Sequence, residues 1–299
     1  MRCFSVIRFF PVLGLIGSLT MPTGVAAVEH LDDEHLYAFA EGTDIGEVGE
    51  KEMETSPLFR FGKESGRYFA YQQSVTPAVV VANGFKLFVS GTWDDFEIRN
   101  VPGFDDRSVF AFGELSGAAR YQLMDRDKSG IGLDLQVEPS WSPREDESGE
   151  KVTSYAAPIA VLASYEILKN KLVTVLNVEY DPSWTRSQGE WEKSSALNFS
   201  EAVMYRLPHH VFGLDLFVGV GTQQLTDFEG LGLDNFAGWA SFVGPQFCFH
   251  NETDTFWFEG GWSFQVAGHA NNADGLSPSD LDLVDFERNN ATVRFGFSF

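Results

Sequence analysis

Apolar and polar residues alternate without a break over the last nine residues of the chain. Val293, Phe295, Phe297 and Phe299 occupy odd positions, and small or polar residues occupy the even positions between them. Successive side chains of a β-strand point to opposite faces, so the pattern predicts a strand with one apolar and one polar face. A soluble sheet rarely has a strand that stops on a terminal Phe.

The same period of two recurs along the chain. From Ile131 to Trp141, for example, Leu133, Leu135 and Val137 share one face and small or polar residues fill the other. Such segments have roughly 11 to 15 residues, which is near the length of a tilted strand that crosses a bilayer. They predict twelve strands, an even number as in bacterial barrels. The predicted strands cover about 35–45, 67–81, 85–97, 109–123, 131–141, 155–167, 172–184, 195–207, 211–222, 237–249, 256–266 and 286–299. The first of them alternates poorly.

The connections between these strands alternate in length. The short ones lie at 83–84, 125–130, 168–171, 208–210 and 250–254, and the long ones at about 46–66, 98–108, 142–154, 185–194, 223–236 and 268–285. Outer-membrane barrels have short periplasmic turns and longer extracellular loops. Twelve strands then place both termini on the periplasmic side.

Aromatic residues recur at the strand ends. Tyr121, Tyr165, Tyr205, Phe247 and Phe297 each begin an aromatic-x-apolar triplet before a short turn or the C-terminus. The triplets Pro-Ser-Trp at 139–141 and 182–184 precede long loops. These positions predict two aromatic girdles around an apolar band. The alternative is a soluble β-sandwich, whose aromatics serve a core. We favour an all-β, single transmembrane antiparallel up-and-down β-barrel.

The N-terminus has the features of a secretory leader. Arg2 and Arg8 precede an apolar stretch and then Val25-Ala26-Ala27, which predicts a signal peptide over 1–27 and a mature barrel over 28–299. A membrane anchor is the alternative, but the apolar stretch is too short to span a bilayer. The leader carries two of the 21 basic residues and none of the 43 acidic ones, so the mature chain has a formal charge of −24. Such a surface repels nucleic acid.

Several motifs resemble those of a family of small proteobacterial outer-membrane β-barrels of uncharacterised function, often described as transporters or porin-like. The motifs lie at 41–47, 99–107, 230–238 and 281–288, and thus span nearly the whole mature chain. The ending at Phe295, Phe297 and Phe299 also resembles the C-terminal assembly signal of such barrels. The resemblance implies a location in the outer membrane of a Gram-negative bacterium and recognition by the barrel-assembly machinery. It implies no established substrate.

The alternation also predicts which charged residues face the lumen. The expected acids are Glu114, Asp134, Glu138, Glu179, Asp181, Asp215 and Glu259, and the expected bases are Lys86, Arg120, Arg206 and Arg294. This excess of acids favours cations over anions. Glu138 and Asp181 occupy matching places below the external rim and are the first candidates for a selectivity site. The alternative is that they are wall residues in salt bridges with inward arginines.

Large apolar residues are also expected inside: Phe88, Phe110, Phe112, Phe217, Phe242 and Trp257. A barrel of twelve strands is intermediate between filled and open barrels. These side chains could therefore plug the lumen, or they could line a path for a small amphipathic compound.

The expected function is passive passage of small solutes through a narrow, mildly cation-preferring channel. A structural or surface-interaction barrel is the first alternative. A lipid hydrolase is the second, with His269 as its best-placed base, but no further motif supports a catalytic triad. Asp125 to Gly130 mimics the start of a calcium loop, although Gln136 replaces the final bidentate Glu. We expect no enzyme activity, no cofactor and no metal. The expected partners are membrane lipid, lipopolysaccharide and an unidentified small solute.

Overall fold

Fourteen β-strands form one antiparallel sheet that closes on itself. The computed structural model describes residues 31–208, 210–211, 213–251, 255–271 and 280–299, and the leader expected over 1–27 lies outside them. The strands are β1 Lys51–Phe61, β2 Arg67–Ala82, β3 Phe85–Arg99, β4 Arg107–Met124, β5 Ile131–Val137, β6 Ser140–Arg144, β7 Lys151–Ala156, β8 Ile159–Leu168, β9 Leu172–Ser187, β10 Glu190–Arg206, β11 Asp215–Glu229, β12 Phe236–His250, β13 Phe256–Ala270 and β14 Asn289–Ser298. A short helix, α1, covers Arg126–Ser129.

Two pairs of these strands act as single strands of the barrel wall. β5 and β6 are interrupted at Glu138 and Pro139, and β7 and β8 are interrupted at Ala157 and Pro158. Proline has no N–H to donate to the sheet, so the hydrogen-bond ladder breaks at each of these points. β1 pairs with β14 from Glu52↔Ser298 to Phe61↔Asn289, which closes the sheet. The barrel therefore has twelve transmembrane strands, and the predicted number is confirmed.

The first predicted strand is wrong. Residues 35–45 form no strand, and β1 lies instead within the region 46–66 that was expected to be a long loop. The region carries four acidic residues within eight positions: Glu47, Glu50, Glu52 and Glu54. In the structure, Glu52 is buried and Glu54 is within reach of Arg294, because both acids point into the lumen.

Most of the connections expected to be long are shorter, because the strands extend beyond the apolar band. β9 and β10 meet at Gln188 and Gly189, whose φ angles of 50° and 98° suit a tight hairpin turn. Between β13 and β14, the described residues 271 and 280–288 form no strand. We call this end of the barrel the loop end, and the end at which β14 finishes the terminal end.

The outer surface is apolar and carries aromatic rings at both ends. Trp93 packs edge-on against Phe112, which also contacts Trp141 near the loop end. Tyr121, Tyr165 and Tyr205 are exposed toward the terminal end. The wall between these rings exposes a band of aliphatic side chains: Val89, Leu115, Leu135, Val161, Leu176, Val203 and Val220. This is the surface that a lipid bilayer covers.

No helix of the described residues is both long and apolar enough to span a membrane.

Residues 31–46 lie inside the barrel, and we call them the plug. Leu36 and Tyr37 are 1% and 0% exposed and pack against Val173, Met204 and Phe217 on the inner wall. Fully burying a leucine-sized side chain contributes roughly 1.5–3 kcal/mol, so this contact favours a docked segment. The plug occupies the half of the lumen next to the terminal end.

Candidate functional site

The lumen contains most of the polar side chains that the alternation placed there. Lys86, Glu114, Arg120, Asp134, Glu138, Glu179, Asp181, Arg206, Asp215, Glu259 and Arg294 all lie on the inner face, as do Phe88, Phe217, Phe242 and Trp257. Their surroundings differ, however, because the plug divides the lumen into a filled half and a hollow half.

Phe110 and Phe112 lie on the outer face, so their predicted lumen position is wrong. The β3–β4 register passes from Thr92↔Glu114 to Trp93↔Phe112 and leaves Gly113 as an extra residue. Such a bulge reverses the side-chain faces of the rest of the strand. Phe110 is accordingly 68% exposed. A second bulge, at Val266, similarly places the side chain of His269 at the exposed surface.

Inward bases of the wall bind the acids of the plug. The carboxylate of Glu41 lies 2.5 Å from Nη2 of Arg294 and 3.2 Å from Nη2 of Arg120. Arg120 also lies 3.7 Å from Glu34, and Arg294 lies 3.3 Å from Glu54. The plug is thus fixed between opposite walls, and these two arginines are not free pore charges.

Lys86 anchors the plug through a buried cluster near the terminal end. Its Nζ lies 2.6 Å from Glu34 and 2.5 Å from Glu52. His35 lies 3.9 Å from Glu34 and 3.7 Å from Glu52, and its ring stacks on Trp257. Burial opposes the charged imidazole, but Glu52 and Glu34 outweigh it and raise the pKa of His35 to about 9.

Glu34, His35 and Glu52 form the one group of at least three possible metal ligands within 4.8 Å in the described part of the chain. Metal binding requires a neutral histidine, and here the imidazole is protonated at neutral pH. The ammonium group of Lys86 already supplies the positive charge between the two carboxylates. The cluster therefore fits a buried ion-pair network better than a metal centre.

Arg126 forms a second anchor that the sequence analysis missed. Its guanidinium lies 2.6 Å from Asp44 and 3.4 Å from Asp33, and it also donates to the carbonyl of Leu31. Asp125, which suggested a calcium loop, instead caps α1 by accepting a hydrogen bond from the N–H of Asp127. The turn of 125–130 thereby positions Arg126 under the plug.

The acids Asp134 and Glu259 lie behind the plug. Both are 0% exposed, and neither carboxylate has a hydrogen-bond partner among the described residues. Arg294 is 3.9 Å from Glu259. Arg206 pairs with Asp215 at 2.7 Å near the terminal end. Asp134 and Glu259 are therefore separated from solute in the plugged barrel, unlike the carboxylates that line the cavities of the hollow half.

Two polar cavities lie directly above the plug, with volumes of about 300 and 200 Å³. Glu41, Gln136 and Arg294 line both of them. Glu179 borders the first cavity, and Glu138 borders the second, where Oε1 accepts a hydrogen bond from Ser116 at 2.8 Å. The two cavities are small and adjacent, and both polar and apolar side chains line them.

A larger cavity of about 840 Å³ follows toward the loop end, and we call it the vestibule. Gln72 lines both the vestibule and the first smaller cavity. Asp181 and Glu114 face the vestibule, whereas Glu138 does not. The structure therefore does not bring Glu138 and Asp181 together into one constriction. It places them in separate cavities of the hollow half.

Two connections fold over the loop end. In residues 145–150, Asp146 binds Arg60 at 2.7 Å, and the carbonyl of Glu147 accepts a hydrogen bond from Tyr68. Burial raises the pKa of Glu147 to about 8, with Glu287 adding to the shift and Lys63 opposing it.

The other connection, in its described part 280–288, packs Phe286 against Phe242. Lys63 donates hydrogen bonds to the carbonyls of Val284 and Asp285 at 3.2 and 2.9 Å. Of the two connections, the first lines the vestibule, through residues 145–147.

Phe295, Phe297 and Phe299 lie on the outer face and are 39%, 42% and 68% exposed. The backbone of Phe299 exchanges two hydrogen bonds with Lys51, at 3.1 and 2.8 Å. The expected assembly signal is therefore accessible at the seam where the barrel closes.

Comparisons with other proteins identify a family and a fold. The profile described as Family of unknown function (DUF6662) matches residues 29–299. No curated protein matches the chain. The β domain of the Bordetella autotransporter BrkA is 13% identical and has a TM-score of 0.53, over 84% of this chain and 100% of that one. An outer-membrane channel from Pseudomonas putida F1 is 11% identical, with a TM-score of 0.53 over 86% of this chain and 98% of the other. At these identities the likeness concerns the fold alone.

Proposed function

We propose that this chain, which belongs to the family of unknown function DUF6662, is an outer-membrane channel for small polar cations that its own plug holds closed. The apolar band, the aromatic rings and the fold shared with outer-membrane barrels support that location. In this orientation the terminal end faces the periplasm and the vestibule faces outward.

One observation carries the proposal: the hollow half of the lumen holds a series of cavities with many polar lining residues, and this series ends on a segment held without covalent bonds. The vestibule and the first smaller cavity share Gln72, and the two smaller cavities share Glu41 of the plug, so the three follow one another along the lumen. Displacing the plug would extend this series to the periplasmic end. A barrel with a purely structural role needs no such series of polar cavities.

The charges of the wall favour cations in these cavities. Nine carboxylates and two bases line the vestibule, so the local potential concentrates cations there. Plug displacement would expose Lys86, Arg120 and Arg294. The wall also holds Glu52, Glu54, Asp134 and Glu259, whose charges offset these bases. The preference for cations over anions therefore comes from the charges of the vestibule.

A structural or surface-interaction barrel is the second candidate. The observation that favours it is the number of ion pairs that hold the plug, because a buried pair is costly to break once it is formed. Under this alternative the lumen stays filled and the outer loops carry the function.

Planar-bilayer recordings of the refolded full-length mature protein divide the two candidates. Glu41→Gln weakens both arginine contacts and should raise the mean current by increasing the time spent open. Glu47→Gln is the matched control, because Glu47 is exposed just beyond the plug. In a salt gradient, the reversal potential should favour K⁺ over Cl⁻. Absence of conductance in the wild type, in Glu41→Gln and in Glu47→Gln would support the structural barrel. A reversal potential that favours Cl⁻ over K⁺ would reject the cation preference but not the channel.

A further inference from the structure

The vestibule has a charge imbalance that the protein does not neutralise. Among the described residues that line it, two are basic, Arg144 and Lys193, and nine carry carboxylates. Arg144 is engaged with the carbonyl of Gly149 at 2.8 Å. Arg60, which lies nearby, forms ion pairs with Asp146 at 2.7 Å and with Glu287 at 3.6 Å. The carboxylates that line this cavity therefore far outnumber the bases that line it.

Two of the carboxylates are built into the wall rather than solvated at the rim. Asp94 is 3% exposed and faces the vestibule beside the bulge at Gly113. Its Oδ1 atom has no hydrogen-bond partner in the structure. Oδ1 of Asp181, farther round the same cavity, is also buried without a partner. Leaving a buried acceptor unsatisfied is costly, so each points to a donor that comes from outside the chain.

The spacing of the carboxylates indicates the kind of donor. No three vestibule carboxylates, all of which lie in the described residues, bring their oxygens within 4.8 Å of one another. A dehydrated divalent ion needs its oxygen ligands around one point. Separated carboxylates instead suit a ligand with several cationic groups on an extended chain. Ala156 and Phe228 also line the cavity and offer apolar contact to the methylene groups between such charges.

We propose that the vestibule is a binding site for a linear polyamine, whose ammonium groups are received by Asp94 and Asp181 at separate points of the wall. The site goes beyond the proposed channel function, because binding requires access to the vestibule and no passage through the plug. Polyamine bound there would occupy the cavity of the series that lies toward the loop end.

Calorimetric titration of the full-length mature protein in detergent, with spermidine at about 0.15 M salt to screen surface charge, tests the site directly. The double variant D94N/D181N keeps the side-chain shapes and removes both charges. It should bind spermidine about tenfold more weakly or worse, as expected when charged pairs in a partly desolvated site are lost. Asp95→Asn is the control, since Asp95 is the next residue of the same strand and is exposed on the other face.

The outcomes separate clearly. Specific loss in D94N/D181N, with D95N like the wild type and with heat-modifiable migration retained by all three, supports the site. Unchanged spermidine affinity in the double variant overturns it, as does an equal loss in D95N. A parallel titration with Mg²⁺ alone tests the ligand class. If Mg²⁺ binds more tightly than spermidine and its binding depends on the same two residues, the proposed polyamine site is rejected and the site is a metal site. If the protein conducts but does not bind spermidine, the proposed channel function stands and the proposed polyamine site is rejected.

Discussion

The imidazole of His35 lies flat on the indole of Trp257, with ring centroids 3.6 Å apart and planes inclined by 6°. One ring belongs to the plug and the other to the wall. The carbonyl of His35 also accepts a contact from Sγ of Cys248 at 3.0 Å. Stacking with a protonated ring adds an electrostatic attraction to the area that is buried. These two contacts tie His35 of the plug to β13 and β12.

Gly296→Ala should disturb that stack, because a Cβ at this position would overlap the indole of Trp257. We expect overpacking to destabilise the fold by about 1–3 kcal/mol, and displacement of Trp257 to make residues 31–46 more accessible to protease. Near-UV circular dichroism and limited proteolysis measure the two effects. Gly91→Ala is the control, since its Cβ would lie at an ordinary 3.7 Å from Trp93. Identical behaviour of the two variants would contradict the stacking account.

Arg126→Gln should release the terminal-end side of the plug. Arg126 is 4% exposed, and its loss leaves Asp33 and Asp44 buried without their shared cation. Breaking one partner of a buried pair costs about 3–5 kcal/mol, so cleavage within the plug should become much faster. Lys128→Gln, which removes the exposed pair with Asp125 two residues away, should have no measurable effect. The prediction fails if proteolysis is equally fast in both variants.

Docking of residues 145–150 should weaken as the pH rises. The pKa of Glu147 is raised from 4.5 to about 8, so the folded loop favours the protonated acid. This contribution is fully present below pH 4.5 and is lost as the pH passes through about 8. Proteolysis in the loop should accelerate from pH 5 to pH 9 relative to Glu147→Gln, which cannot ionise. A constant ratio between the wild type and this variant across the range would argue against the titration.

Phe299→Ala should lower the yield of assembled barrel and leave the assembled barrel nearly as stable. The phenyl ring is exposed, whereas the pairing of this residue with Lys51 uses backbone atoms that alanine retains. Heat-modifiable migration of membrane fractions measures the yield, and denaturant unfolding measures the stability. Equal yields for wild type and variant would argue against an assembly signal at this residue.

The alternation of the sequence was sufficient to predict the barrel and its inner and outer faces, because the period of two is imposed locally by the strand backbone. It failed at Phe110 and Phe112, since the bulge at Gly113 depends on how β4 pairs with β3. A glycine within a strand was the available signal for this exception.

The plug could not be predicted from alternation. Its apolar residues, such as Leu36 and Tyr37, resemble those of a short strand, but their partners lie far away in the sequence. The poor alternation of residues 35–45 was the one warning. The four bases that hold the plug, namely Lys86, Arg120, Arg126 and Arg294, come from different parts of the wall. Such long-range pairing requires the closed barrel.

The contact between Glu41 and Arg294 has a consequence for the order of biogenesis. Glu41 precedes every strand, yet its partner is supplied by β14, the final strand. Glu41 is therefore synthesised well before Arg294, the residue with which it pairs in the folded protein. The plug therefore cannot acquire its complete set of ion pairs until the last strand of the barrel has been synthesised.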